Sequence, residues 1–222
     1  MRNKSLQALV ESAILLALSV VLSVYAIYEM PNGGTVSFFA MAPLVIIGLR
    51  WGPSWGSGAA LAFGIAQLLF GLKNFSYVQG IWAYIGVASL DYIIAFAAYG
   101  LAPIIAKPFC KTRHIRHANG QYDGKGFTFE LYSVPNKPLG YGLAALATGL
   151  LQYACSFLSG ILLWSEWAPE STPVWLYSLT YNATYALPNA AMTVIGTVVA
   201  MALLNKAFPV EKGKPDYWAA KA

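Results

Sequence analysis

Apolar runs recur along this chain, and most approach the roughly 20 residues needed to cross the hydrocarbon core of a bilayer. They lie at about 5–28, 36–49, 55–72, 78–106, 139–164 and 176–208. Apolar residues make up 58% of the chain and charged ones 10%, against roughly 25% charged in an ordinary soluble domain. A soluble core of this size could not hide so much apolar surface, so lipid is the solvent that fits. The expected fold is an all-α integral membrane protein, a bundle of six transmembrane helices. It forms a single membrane domain over residues 1–222, with an insert at 107–138 between helices four and five. The second run is short and contains Pro43, so it is tilted, broken or extended by loop residues. The first carries Glu11 near its start and lacks a convincing cleavage site, so it reads as a retained helix rather than a signal peptide.

With both termini on one face, that side collects nearly all the cations. It holds Arg2, Lys4, Arg50, Lys107, Lys111, Arg113, Arg116, Lys125, Lys137, Lys206, Lys212, Lys214 and Lys221. The opposite face holds Lys73 with Glu29, Glu166 and Glu170. Basic loops stay in the cytoplasm, so both termini are placed there, in a bacterial cell membrane. The basic balance is therefore topological. It gives no reason to invoke nucleic acid, for which a basic stripe with interleaved aromatics is missing.

The insert contains His114 and His117, two turn-prone pairs at Asn119-Gly120 and Asp123-Gly124, and alternating Phe127, Phe129 and Leu131. The alternation predicts a short hairpin beneath the bundle. The histidines read as solvated loop residues, because no acidic or thiol partner is spaced for a metal. Cys110 and Cys155 form no disulfide framework, and no cofactor is expected. A glycine-rich phosphate loop with Lys and Ser/Thr is absent, so this chain does not hydrolyse ATP by that route. Protease signatures are absent too. Glu11 and Asp91 are the only carboxylates within the spans, too few for a proton relay.

Asp91 is the most informative residue. A carboxylate in the middle of span four costs at least ~2.5–3.5 kcal/mol on insertion scales. It is retained either by a hydrogen bond to a neighbouring helix or by a polar ligand, and the second reading is preferred. Glu11 lies within two turns of the cytoplasmic end and reads as structural or partner-facing. Gln152, Ser156, Gly160 and Trp164 recur every four residues and fall on one helical stripe. The stripe offers a hydrogen-bonding floor, a gap where a ring can approach backbone, and an aromatic wall. Tyr177, Tyr181 and Asn182 supply the opposite wall and an amide able to bond at both ends. Trp and Tyr also gather at membrane interfaces; for Trp167 and Trp175 an interfacial place accounts for the residue at least as well as a pocket role.

The run Met30-Pro31-Asn32-Gly33-Gly34-Thr35-Val36-Ser37, followed by Arg50-Trp51-Gly52, resembles the thiamine-binding membrane subunits of energy-coupling factor (ECF) importers, the ThiT family. So do Ser159-Gly160, Trp164-Ser165-Glu166-Trp167-Ala168-Pro169, Trp175-Leu176-Tyr177-Ser178 and Tyr181-Asn182. The resemblance covers nearly the whole chain except 107–137. It implies a vitamin-binding S component that associates with a membrane scaffold subunit and two cytoplasmic ATPase subunits, and it implies no enzyme activity. It also implies a scaffold-docking face on the first helix, where Ala13 and Ala17 provide small residues four apart.

Carried over by resemblance, the binding site matches at Gly160, Trp164, Tyr177 and Asn182. It departs at three polar positions. Asp91, before Tyr92, stands where the family has glutamate; Ser156 stands for a histidine; and Gln152 stands for a lysine. The family's tryptophan in the first external loop has no counterpart in 29–35. These departures predict a pocket re-tuned for another flat heterocycle, with pyridoxine (vitamin B6) preferred and thiamine the alternative. Residues 29–35 and 164–175 are expected to act as lids, with Trp164 stacked on the ligand. A stand-alone carrier or channel, or less plausibly a membrane enzyme, would be the competing classes.

Overall fold

The computed structural model describes residues 4–31, 33–106 and 138–207. The hairpin expected in 107–138, its two histidines, and most of the basic residues used for sidedness lie outside these segments.

Helix α1 (Lys4–Val24) leads into a two-stranded antiparallel hairpin, β1 (Ala26–Glu29) and β2 (Thr35–Ser37). Then follow α2 (Ala42–Trp51), α3 (Pro53–Phe70), and a 3-10 turn at Leu72–Tyr77. A continuous helical rod, α4 (Ile81–Ala106), is followed by α5 (Pro138–Leu162), a 3-10 turn at Ser165–Trp167, and α6 (Val174–Ala207). The helices α4, α5 and α6 are long and apolar enough to cross a membrane. Large apolar side chains such as Leu9, Ile14, Leu69, Ile104, Leu162 and Val199 are exposed around the bundle, as lipid-facing residues should be. The chain is a multi-pass membrane protein.

The hairpin corrects the all-α expectation. Tyr25 to Tyr28 is apolar enough to prolong span one by hydropathy, but aromatic and β-branched residues there also favour extended chain. The turn needs glycine: Gly33 and Gly34 both have φ of +94°, a region that side-chain-bearing residues avoid. Span two is rebuilt accordingly. Its helix has only ten residues, about 15 Å at 1.5 Å per residue, and β2 extends it toward the loop-capped end. The short helix is nearly wholly buried from Ala42 to Trp51.

Three glycines let α2, α3 and α4 cross in close contact. A Cβ on Gly56 would fall 2.4 Å from Gly48 Cα, and one on Gly100 would fall 2.3 Å from the Gly56 backbone. Around this crossing Leu44, Val45, Leu49, Phe63, Tyr99 and Tyr141 form the core. Polar links hold α1 to it: Trp55 Nε1 donates to Ser12 Oγ at 2.6 Å and Gln67 Nε2 to Ser23 Oγ at 2.6 Å. Glu11 proves structural, since the Arg50 guanidinium at the end of α2 donates to both its carboxylate oxygens. Ala13 and Ala17 lie exposed on α1.

A candidate ligand-binding cavity

Two departures from regular helix shape the site. Within α4 the backbone widens to π-helical turns over Ala88–Ile94, the stretch that contains Asp91. Such bulges insert an extra residue per turn and often mark functional positions. Here the widening presses the Tyr92 carbonyl toward α3, where a Cβ on Gly64 would meet it at 2.6 Å. Farther along, α6 carries Pro188 in its interior, and the missing N–H removes one rung of its ladder.

Between these features lies a cavity of about 520 Å³. It is lined by all nine residues expected from sequence: Asp91, Tyr92, Gln152, Ser156, Gly160, Trp164, Tyr177, Tyr181 and Asn182. Asp91 Oδ2 accepts from Ser159 Oγ at 2.8 Å and from Trp164 Nε1 at 3.2 Å. The helix-to-helix bond and the cavity wall, alternatives on sequence grounds, are therefore both realised. Both bonds fall on Oδ2, which leaves Oδ1 available to a guest. Tyr92 Oη accepts from Asn74 Nδ2 at 3.1 Å. Gln152 Nε2 donates to Ser156 Oγ at 3.2 Å, so these two floor residues are linked to each other.

Two expected roles need correction. Gly160 lines the cavity, but the space beside its Cα is filled by protein. An added Cβ would lie 2.1 Å from Ser178 Oγ and 3.1 Å from Asn182 Nδ2. The glycine therefore brings α5 and α6 together; Ser178 Oγ seals the contact by donating to the Phe157 carbonyl at 2.8 Å. Asn182 does not present a free amide either. Its Nδ2 donates to the Ser178 carbonyl at 2.8 Å, and its Oδ1 accepts from Tyr185 Oη at 2.6 Å.

Aromatic rings form the far wall. Tyr177 and Tyr181 stand 5.6 Å apart between centroids, and Tyr181 meets Tyr185 edge-on at 6.5 Å. Trp167 lines the cavity as well, with 41% of its surface exposed. Its indole donates to the Tyr77 carbonyl at 3.2 Å, with the two rings perpendicular at 5.5 Å. Trp175 is exposed and does not line it. Residues missed from sequence include Ser159, which holds the acid, and Gln67, Asn74, Tyr185 and Asn189 on the wall. Gln67 and Asn189 interrupt apolar runs, the same signal that singled out Asp91.

Charge at the site reduces to one group. Glu29 and Lys73 pair with each other at the exposed rim, where solvent screens them. Asp91 is the remaining aspartate, glutamate, lysine or arginine among the described lining residues. The cavity thus offers one unopposed carboxylate within an aromatic wall.

The family profile described as "Thiamine transporter protein" matches residues 9–209. The chain belongs to the ThiT family. Thiamine transporter ThiT of Bacillus subtilis is 34% identical over 190 residues, covering 85% of this chain and 86% of that protein. Thiamine transporter ThiT of Lacticaseibacillus paracasei is 25% identical over 218 residues and 96% of each chain. Among solved structures, ThiT from Listeria monocytogenes matches with a TM-score of 0.58 at 20% identity, covering 93% of this chain and 97% of that one. At that identity the structural match speaks for the fold. ThiT relatives are named as transporters, in accord with a transport subunit rather than an enzyme.

Proposed function

We propose that this chain is the S component of an ECF importer and that its ligand is thiamine. The observation that carries the reading is the Asp91 carboxyl group, with no basic side chain paired to it, held by Trp164 in a cavity whose far wall is Tyr177 and Tyr181. A flat ring with a fixed positive charge suits such a site: it favours the ionised form of the acid and gains ~0.5–2 kcal/mol against an aromatic face. The thiazolium ring of thiamine has that charge.

The preference for pyridoxine gives way to its alternative. That preference weighs the hydrogen-bonding groups at Ser156, Gln152 and Asn182, yet Asn182 is engaged within α6 and Gln152 with Ser156. Both named relatives are thiamine transporters, and this supports the same exchange.

Titrating the purified chain while following tryptophan emission tests the substrate. Tight thiamine binding with no pyridoxine response is expected; the reverse order would overturn the assignment. The partner reading has its own test. Vesicles containing this chain with a scaffold subunit and two ATPase subunits should accumulate thiamine with ATP, and those containing the chain alone should not. Uptake by the chain alone would favour a stand-alone carrier.

The membrane arrangement we infer has six spans in a single domain over 1–222, formed by α1, by β2 together with α2, and by α3 to α6. Both termini and the 107–138 insert lie in the cytoplasm, and the cavity opens outward. The cation distribution along the sequence supports this sidedness.

A further inference from the structure

One face of α6 carries the backbone segment 33–39 along its length. Tyr181 Oη donates to the Gly33 carbonyl at 3.0 Å. The Tyr185 ring lies against Gly34, where an added Cβ would come within 2.6 Å of it. Asn189 uses both ends of its amide on β2: Oδ1 accepts from the Ser37 N–H at 3.0 Å, and Nδ2 donates to the Thr35 carbonyl at 2.7 Å. Gly196 leaves room for Phe39, whose ring would stand 2.9 Å from a Cβ placed there. These positions recur with helical spacing, so they share one face.

The Asn189 contact differs in kind from the others. A strand has an N–H and a C=O two residues apart on the same edge, and a primary amide matches both. The side chain thus stands in for a third strand on a two-stranded hairpin, which is marginal by itself in the absence of such support. Because the partners are a backbone donor and a backbone acceptor, the amide orientation is fixed. At the other end of the segment, Phe39 has φ of 56°, a left-handed conformation unfavourable for a bulky residue. Segment 33–39 therefore has a strained end at Phe39 and a bonded clasp at Asn189.

We propose that Asn189 is a positioning residue that latches β2 over the cavity and thereby sets how quickly a bound guest leaves. It acts through the backbone of β2, which occupies both ends of its amide. It sits directly after Pro188, where α6 lacks a backbone hydrogen bond. The kinetic arm of this inference rests on the thiamine reading; the structural arm does not.

The test compares the full-length chain with Asn189→Leu, which keeps similar volume and removes both bonds. Hydrogen exchange of peptides spanning 33–39 is measured without ligand, and thiamine dissociation is measured by stopped-flow tryptophan emission. Exchange in 33–39 should quicken about tenfold while α5 peptides are unchanged, the scale of losing one to two hydrogen bonds. Thiamine koff should rise about tenfold with kon held within about twofold. Unchanged exchange in 33–39 overturns the latch, and so does faster exchange throughout the bundle with a lowered melting temperature, which would mark a merely structural role. Asn189→Ala repeats both measurements should leucine not be accommodated. A parent protein blind to thiamine would sink the substrate reading, and the exchange data would still decide the latch.

Discussion

Trp164 sits in the bend between α5 and the 3-10 turn at Ser165–Trp167, Asp91 lies on α4, and the indole Nε1 of the first donates to Oδ2 of the second at 3.2 Å. The aromatic wall and the buried charge are therefore one unit. Ser159, nearly one and a half turns before Trp164, gives the same oxygen a second donor at 2.8 Å. Two donors on one oxygen fix the carboxylate's orientation and direct its remaining capacity toward a guest.

Asp91→Asn is expected to weaken thiamine binding about 10- to 150-fold, the range for losing an interaction with a charged group. The substitution keeps the size and leaves an amide oxygen for Ser159 and Trp164, so thermal stability should change little. Calorimetric titration of both proteins checks this. An affinity within about twofold of the parent would separate the acid from ligand recognition.

Ser159→Ala and Trp164→Phe dissect the holder from the wall. Ser159→Ala removes a donor and leaves every cavity-wall ring in place. Its thiamine affinity should fall about tenfold, since the freed carboxylate can turn away from the guest. Trp164→Phe should cost more than Ser159→Ala, because it loses both the N–H and part of the aromatic face. Equal losses would mean that the larger indole face adds nothing to binding beyond its N–H.

Sequence periodicity reaches much of this site and stops at identifiable points. The four-residue recurrence from Gln152 to Trp164 is legible because a polar stripe on an apolar membrane helix is costly unless it faces a polar interior. Asp91 is legible through its cost in lipid. Asn189 carries a similar signal, a polar amide in an apolar run at i+7 from Asn182, but Pro188 beside it suggests a helix irregularity instead. Ser159 is small and adjacent to Gly160, so it merges into a packing motif. The hairpin is hidden because Tyr25, Ile27 and Tyr28 are as apolar as a membrane helix. The π-helical turns around Asp91 depend on packing against α3, and no local residue pattern encodes them.

Gly160→Ala tests the corrected role of that glycine. Its methyl group would collide with Ser178 Oγ at 2.1 Å, which forces α5 and α6 apart. Overpacking of this kind costs about 1–3 kcal/mol, so the melting temperature in detergent should fall. Adding Ser178→Gly removes the colliding side chain and should recover part of the loss. Failure of the double variant to recover any stability would return Gly160 to the role of a ligand-facing gap.

Glu11→Gln addresses the ion pair that binds α1 to α2. The Arg50 and Glu11 side chains are 11% and 23% exposed, so solvent compensates only partly for a lost charge. About 1–3 kcal/mol of stability should disappear, while thiamine affinity stays near that of the parent, because neither residue lines the cavity. A large affinity loss without destabilisation would mean that α1 communicates with the cavity.

The outer face of α1 allows binding to be separated from transport. Ala13 and Ala17 are exposed four residues apart, and two small side chains on one helix face let a partner helix approach closely. Leucine at both positions would fill that approach with bulk while remaining compatible with lipid, so the isolated chain should fold as before. Ala13→Leu combined with Ala17→Leu should therefore leave thiamine titration unchanged and abolish ATP-dependent uptake in vesicles that contain the scaffold and ATPase subunits. Co-purification with the scaffold subunit should fall in parallel. The opposing outcome is normal uptake by the double variant, which would move the docking surface away from this face of α1. Weakened binding in the isolated chain would instead mean that leucine had disturbed the bundle through Glu11, since that residue lies within one turn of Ala13 and carries the pair with Arg50.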